Sequence, residues 1–197
     1  GCIPVRVNGT AESPIVFRSA GDGDVTIDGG NNYVVFDVMN SNHVWFDELR
    51  IQNTECAFLP GYSPFQIATD GLTITNCRVE DVRMGVYCDE STGEGWYIAD
   101  NYFTGRNTST SMNDHTAPFG IVPCGRGHVV TNNRVAWFQD GIDLGWWDRE
   151  TSYDENDFTA SVDVCRNIIY GCGDDFLEMD GSYFNGRAFE NMMINGG

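Results

Sequence analysis

The sequence of 197 residues contains no lysine: all eleven basic residues are arginine, and they face 29 aspartates and glutamates for a formal net charge of -18. A surface of this sign repels phosphate groups, so neither nucleic acid nor an anionic membrane is an expected partner. High ionic strength or divalent cations would instead screen its self-repulsion.

Long apolar runs are also missing. No stretch approaches the ~20 apolar residues that a membrane-spanning helix needs, so no membrane span is predicted. The chain opens on Cys2-Ile3-Pro4-Val5 without the basic and apolar regions of a signal peptide. With 41% hydrophobic and 13% aromatic residues, the chain is too apolar for a disordered segment, and we expect one folded domain over residues 1–197.

No apolar pattern of helical period is sustained, whereas glycine and asparagine separate short β-branched and aromatic runs throughout, which predicts an all-β protein. One phrase recurs: an apolar pair, a small polar pair often containing Asn, and a further apolar residue. Its equivalent positions are Phe46, Ile74, Ile98, Val130, Val164 and Phe189. A motif repeated at intervals of 24 to 34 residues indicates a solenoid, so these six side chains should face one interior and the middle four should stack in a column.

A second phrase follows the first in each repeat. Its apolar positions, expected to form another inner column, are Val86, Ile121, Ile142 and Leu177. Loop insertions are expected near 104–118 and 146–160. Together the two phrases predict a parallel β-helix whose coils stack about 4.8 Å apart.

The phrases "GHVVTNNRV", "DGIDL" and "DDFLEMDG", with the opening stretch 7–20, resemble coils of right-handed parallel β-helix proteins of the pectate-lyase-like superfamily. The resemblance implies a right-handed solenoid over nearly the whole chain. It names no single activity, since the superfamily includes lyases, glycoside hydrolases, epimerases, tailspikes and adhesins. The usual strand before Val5 is missing and the sequence stops straight after a strand-like run, so we expect a β-helix truncated at both ends.

The second phrase also aligns acidic residues, Asp140 with Asp175 and Asp143 with Glu178. If Ile142 points inward, alternation turns Asp143 and Glu178 onto one outer face. Two like charges one strand apart raise a carboxyl pKa or hold a cation between them.

These two outcomes predict different chemistry. A proton shared among carboxyls suits glycoside hydrolysis, with an acid, base or nucleophile set of Asp140, Asp143, Asp175 and Glu178. Clustered oxygens suit calcium, with a ligand set of Asp143, Asp174, Glu178 and Asp180. A third interpretation remains open, in which these are solvated surface acids of a very acidic protein.

Trp146 and Trp147 follow the acids, and exposed indoles there would give flat surfaces on which sugar rings stack. In the alternative interpretation the two indoles fold back and cap the coil. Arg134 is a further candidate for substrate binding. A lyase that abstracts a proton with lysine is disfavoured because the chain has none, and arginine stays protonated. A polygalacturonase-like hydrolase matches the acidic phrases but not its later Gly-His-Gly and Arg-x-Lys elements, which are absent after Asp175.

Seven cysteines show no CxxC spacing, so a zinc site is not expected. Cys88 and Cys124 end the second phrase in neighbouring repeats, where stacked Cα atoms would fall within disulfide range, and we expect them to be bridged. Cys77, Cys165 and Cys172 lie in or beside apolar runs and are expected to be buried thiols.

The sequence thus predicts a secreted or cell-surface β-helix that binds or degrades an extracellular polysaccharide, with calcium as its one candidate cofactor. The alternative is a structural fibre, adhesin or surface-layer module without catalytic activity. In that case its open ends would associate end to end or carry additional coils, because exposed sheet edges need a cover.

Overall fold

The structure, a computed structural model, describes residues 1–62, 68–89, 93–144 and 159–196. These residues form 22 strands joined by turns and loops, without a helix, and the strands form three parallel sheets. The prediction of an all-β protein is confirmed. Within the described ranges no helix has the length and hydropathy needed to cross a membrane.

One sheet has seven strands, each contributed by a successive repeat. In order they are β2 (Ile15–Arg18), β4 (Val44–Asp47), β6 (Thr73–Thr75), β9 (Tyr97–Ala99), β13 (Val129–Thr131), β17 (Asp163–Cys165) and β21 (Arg187–Phe189). The predicted column lies here, because five fully buried side chains are in register across neighbouring strands: Phe46, Ile74, Ile98, Val130 and Val164.

The prediction for Phe189 was wrong by one residue. Ala188 lies opposite Val164, and Phe189 lies opposite Cys165 and is 41% exposed. The turn after the strand fixes this register, because Glu190 has the same positive φ as Arg166 in the preceding repeat. Counting back from that turn places Ala188, not Phe189, in the inner column.

A second sheet is short, with strands of two or three residues. Its strands are β8 (Gly93–Glu94), β12 (Gly125–Arg126), β16 (Thr159–Ala160) and β20 (Ser182–Phe184). It lies between the other two sheets along the chain: each of its strands is followed directly by a strand of the seven-stranded sheet.

The third sheet has eleven strands. Its main path is β1 (Ile3–Pro4), β3 (Thr26–Asp37), β5 (Arg50–Tyr62), β7 (Arg78–Asp89), β10 (Tyr102–Gly105), β14 (Arg134–Ala136), β18 (Ile168–Tyr170) and β22 (Met192–Ile194). From β7 a branch continues through β11 (Phe119–Val122), β15 (Asp140–Asp143) and β19 (Leu177–Glu178). The long strands of the early repeats are thus divided in later ones, where residues 106–118 separate β10 from β11.

The branch contains the second predicted column. Val86, Ile121, Ile142 and Leu177 follow one another in register, and the first three are fully buried. This prediction is confirmed. The register matters for function because it fixes which acidic residues of β15 and β19 lie side by side.

A row of four asparagines follows the seven-stranded sheet: Asn101, Asn133, Asn167 and Asn191. Each of the first three donates its side-chain Nδ2 to the Oδ1 of the next, at 3.0, 3.1 and 3.0 Å. The Nδ2 of Asn133 also donates to the Ile98 carbonyl oxygen at 2.9 Å. The ladder satisfies polar groups that the tight turns would otherwise bury without partners.

Candidate acidic site

Three carboxyl groups come together where β15 meets β19. Asp140 begins β15, Glu178 ends β19, and Asp175 lies just before β19. One carboxylate oxygen from each of the three lies within 4.8 Å of the others. The register of Ile142 with Leu177 brings the start of β15 beside Asp175, whose amide donates to Oδ1 of Asp140, and places Glu178 opposite Asp143.

Glycine at position 141 allows the strands to approach this closely. A Cβ atom there would lie 2.5 Å from Cγ2 of Ile169 and 2.7 Å from the carbonyl oxygen of Phe176. The Gly141 amide instead donates to the Asp175 carbonyl oxygen at 2.9 Å. The "DG" pair of the sequence therefore combines a carboxyl group with the small residue that lets the next strand pack against it.

Asp140 is the least exposed of the three, at 9%. Burial raises its pKa to about 6, and the charges of Asp174 and Asp175 add to the increase. The Asp175 amide opposes this rise by donating to Oδ1 of Asp140 at 3.2 Å.

Burial also raises the pKa of Glu178, to about 7, with further contributions from the charges of Asp140 and Asp175. The pKa of Asp175 is raised in the same direction, first by burial and then by Asp174 and Asp180. Near neutral pH the carboxyls therefore behave as one set that retains a proton. Glu178 holds that proton most strongly.

The three carboxyls open into a depression of about 420 Å³. Its lining residues are His115, Pro118, Phe119, Gln139, Asp140, Asp174, Asp175, Glu178 and Asp180. Gln139 is buried and donates its Nε2 to the Met112 carbonyl oxygen at 2.9 Å, which ties the inserted loop 106–118 to the acidic strand. The depression is thus formed by sheet residues on one side and by the inserted loop on the other.

The predicted acidic site residues lie in three different places. Asp140, Asp175 and Glu178 meet as described, and Asp174 and Asp180 are exposed on the rim of the depression. Asp143 does lie opposite Glu178 in register, as the alignment predicted, but it is 5% exposed and is not part of the three-carboxyl cluster.

Other candidates lie elsewhere. Trp146 and Trp147 are outside the described residues. Arg134 lies on β14, between Tyr102 and Ile168 of the neighbouring strands, and does not line the depression. His115 and Gln139 line the depression but were not among the predicted site residues. The signals that point to them are the inserted loop for His115 and the position next to Asp140 for Gln139.

The expected disulfide between Cys88 and Cys124 is not formed, and both residues are thiols. Val122 lies opposite Tyr87, so Pro123 takes the position opposite Cys88 and Cys124 comes one residue later. The Cys124 sulfur contacts the Cys88 carbonyl oxygen at 3.0 Å instead. The prediction of buried thiols at Cys77, Cys165 and Cys172 is confirmed.

Comparison of the chain with protein-family models, with curated proteins and with solved structures finds no match.

Proposed function

We propose that the protein is a right-handed parallel β-helix of the pectate-lyase-like kind that hydrolyses an extracellular polysaccharide at the acidic depression. Two side-chain columns, each shared by successive parallel strands, support the solenoid. The three carboxyl oxygens within 4.8 Å of one another support the chemistry.

In this proposal Glu178 is the general acid. Its pKa of about 7 leaves it substantially protonated at neutral pH, so it can protonate the oxygen of the departing sugar. Asp140, with a pKa of about 6, is mostly ionised there, and its charge helps to retain the Glu178 proton.

Asp175 is the proposed nucleophile because it is the exposed member of the cluster. Carboxyls about 5 Å apart are typical of retaining glycosidases, whereas inverting enzymes leave a wider gap for water. Asp175 would attack the anomeric carbon as the glycosidic bond breaks, forming a glycosyl ester. Water would then hydrolyse the ester, with ionised Glu178 accepting the water proton.

The test is Glu178→Gln, which keeps the size of the side chain and removes the transferable proton. Against a panel of neutral and acidic polysaccharides, we expect turnover to fall by about 100-fold or more, the usual effect of losing a general acid. Glu12→Gln, at an exposed position remote in sequence, is the control and should be fully active. Wild-type turnover in Glu178→Gln, or no hydrolysis of any glycan by the wild type, would contradict the proposal.

A structural module is the second candidate, and the uncovered end strands favour it. Met193 and Ile194 on β22 are 44% and 47% exposed, and Ile15 and Val16 on β2 are 38% and 42% exposed. In this role the acids would hold calcium instead of a proton. Calcium-dependent melting that Glu178→Gln abolishes, without any hydrolysis, would favour the module.

A further inference from the structure

The lining of the acidic depression is rich in hydrogen-bond acceptors and poor in positive charge. Besides the three clustered carboxyls it contains Asp174 and Asp180, both exposed at the rim. No arginine of the described part of the chain lines the depression, and His115 is the one described lining side chain that can become a cation. The depression therefore favours a ligand that carries positive charge and disfavours an anion.

Two arginines lie near this part of the sheet, and both have carboxylate partners of their own. Arg83 lies one residue before the position opposite Phe119, and its guanidinium lies 3.8 Å from Glu55. Arg106, at the start of the inserted loop, contacts Glu55 at 2.9 Å and Asp81 at 3.0 Å. Neither arginine lines the depression, so neither offsets the charge of its rim.

A buried amide in the wall of the depression indicates a ligand with donor groups. Gln139 lines the depression and is only 4% exposed. Its Nε2 donates to the Met112 carbonyl oxygen at 2.9 Å and to Oδ2 of Asp174 at 3.4 Å. Its Oε1 has no hydrogen-bond partner among the described residues. Because buried polar atoms are nearly always hydrogen-bonded, an open acceptor in this wall points to a donor supplied by the ligand.

Phe119 adds an apolar surface beside the acids. It is half-buried, lines the depression and lies opposite Asp140 in register. Its ring stacks on that of Tyr87, with centroids 5.7 Å apart and an interplanar angle of 13°. This contact fixes the orientation of the Phe119 ring. A fixed aromatic ring next to hydrogen-bonding groups is suited to the apolar face of a sugar ring.

We propose that the substrate of the acidic depression is a polysaccharide of amino sugars whose amino groups are unacetylated and positively charged. The choice of a polysaccharide rests on the proposed function, whereas its class rests on the lining. Asp174 and Asp180, which the hydrolytic steps do not use, receive the ammonium groups, each of which has three donors. A polyuronate or a sulfated glycan would bring its own negative charge against the same carboxylates.

Binding is measured with Glu178→Gln, in which turnover does not consume the probe, at a mildly acidic pH where amino groups are protonated. The probes are fluorescent oligomers of chitosan, of its fully N-acetylated form chitin, and of galacturonate, all of one length. We expect the chitosan oligomer to bind about tenfold or more tightly than the chitin oligomer, with an affinity that falls as salt increases. The galacturonate oligomer should not bind.

Asp174→Asn combined with Asp180→Asn should weaken binding of the chitosan oligomer by about tenfold or more, because charge-assisted hydrogen bonds are lost. The matched control combines Asp22→Asn with Asp100→Asn, which removes the same charge from two exposed residues outside the depression and should leave binding unchanged.

Phe119→Leu tests the sugar surface, because it keeps an apolar side chain and removes the ring. It should weaken binding of the chitosan oligomer by about threefold or more. Oligolysine is the control probe for attraction between a polycation and a chain of net charge -18, and Phe119→Leu should not change its binding.

Equal affinity for the chitosan and chitin oligomers, or tight binding of the galacturonate oligomer, would overturn the assignment of an amino-sugar substrate. Equal losses in the two double variants would also overturn it, because they would indicate only a response to net charge. So would a Phe119→Leu variant that binds the chitosan oligomer normally.

The substrate class and the proposed function fail separately when chitosan is added to the polysaccharides offered to the wild type. Hydrolysis of a neutral or acidic polysaccharide but not of chitosan would remove the amino-sugar substrate and keep the enzyme. Chitosan that binds in a way that depends on Asp174 and Asp180, but is never cleaved, would remove the enzyme and keep the ligand class.

Discussion

At the scale of single residues, the clustered carboxyls make stability depend on pH in an unusual direction. The pKa of Glu178 is raised from 4.5 to about 7, and that of Asp140 from 3.8 to about 6. The folded state therefore favours their protonated forms more than the unfolded chain does. Their contribution to stability is fully present below the unfolded values, near pH 4, and is lost as the pH rises through about 7.

Glu178→Gln removes the group that is costly to ionise in the folded state. The melting temperature of Glu178→Gln minus that of the wild type should become steadily more positive as the pH rises from about 4 to about 8. Thermal unfolding at constant ionic strength measures this difference. Burial is the first cause of the raised pKa and the neighbouring charges are the second, so high salt should reduce the difference only in part.

Asp114 supplies a control of opposite sign. Hydrogen bonds from Thr116 and Thr108 lower the pKa of Asp114 to about 2. The contribution of Asp114 to stability is therefore present at pH values above its pKa in the unfolded chain, and it is lost on acidification. Asp114→Asn should therefore have a lower melting temperature than the wild type, and the decrease should be larger at neutral pH than at acid pH. If Glu178→Gln behaves in the same way as Asp114→Asn, the carboxyl cluster does not retain a proton.

At the scale of elements, the asparagine ladder joins successive turns into one unit. Asn133 occupies its middle: its Oδ1 accepts from Asn101, and its Nδ2 donates to Asn167 and to the Ile98 carbonyl oxygen. Removing it leaves several buried polar groups without partners, each of which costs about 1–3 kcal/mol. Asn133→Ala should therefore lower the free energy of unfolding by roughly 2–4 kcal/mol in denaturant titrations.

The matched control for Asn133 is Asn191, the same residue type in the same row. Asn191 is the last member of the ladder and is only partly buried, so water can replace its partners. Asn191→Ala should cost clearly less than Asn133→Ala. Equal costs would mean that the ladder acts at each turn separately and does not connect the turns.

The repeated phrases were sufficient to predict the two inner columns of apolar side chains, because the alternation of side chains along a strand fixes which of them face inward. They placed Ile74 and Val130 correctly but misplaced Phe189, since in the last repeat the large apolar Phe189 directly follows the small residue, Ala188, that occupies the true position. The same one-residue ambiguity explains why the predicted disulfide between Cys88 and Cys124 was wrong. Register is set by turns and strand pairing, and sequence similarity alone resolves it only to about one residue.

The candidate site was predicted in part for a related reason. Asp140, Asp175 and Glu178 belong to the repeat, and the alignment of two phrases predicted that Asp140 lies beside Asp175. The same alignment paired Glu178 with Asp143, so it did not predict that Glu178 joins the cluster in place of Asp143. His115 belongs to the inserted loop 106–118, which has no counterpart in the repeat, and its position at the depression depends on tertiary packing. Alignment of repeats predicts the positions of residues within the repeated phrases, but it does not predict where the residues of an inserted loop lie.

At the scale of the whole molecule, the net charge and the exposed apolar side chains have opposite effects on association between copies. The net charge of -18 disfavours contact between copies at low salt, while the end strands expose apolar side chains that would favour it. Unpaired edges of parallel strands can accept a further strand. The balance between these two effects should depend on ionic strength.

We therefore expect the protein to associate end to end as salt increases, because screening removes the repulsion and leaves the apolar ends in place. Sedimentation velocity over a salt series measures this directly. Met193→Glu places a charge in the exposed end strand and should keep the protein monomeric at high salt, whereas Met112→Glu, at a 60% exposed methionine in the inserted loop, should associate normally. A wild type that stays monomeric throughout, or equal effects of the two variants, would exclude association through the end strands.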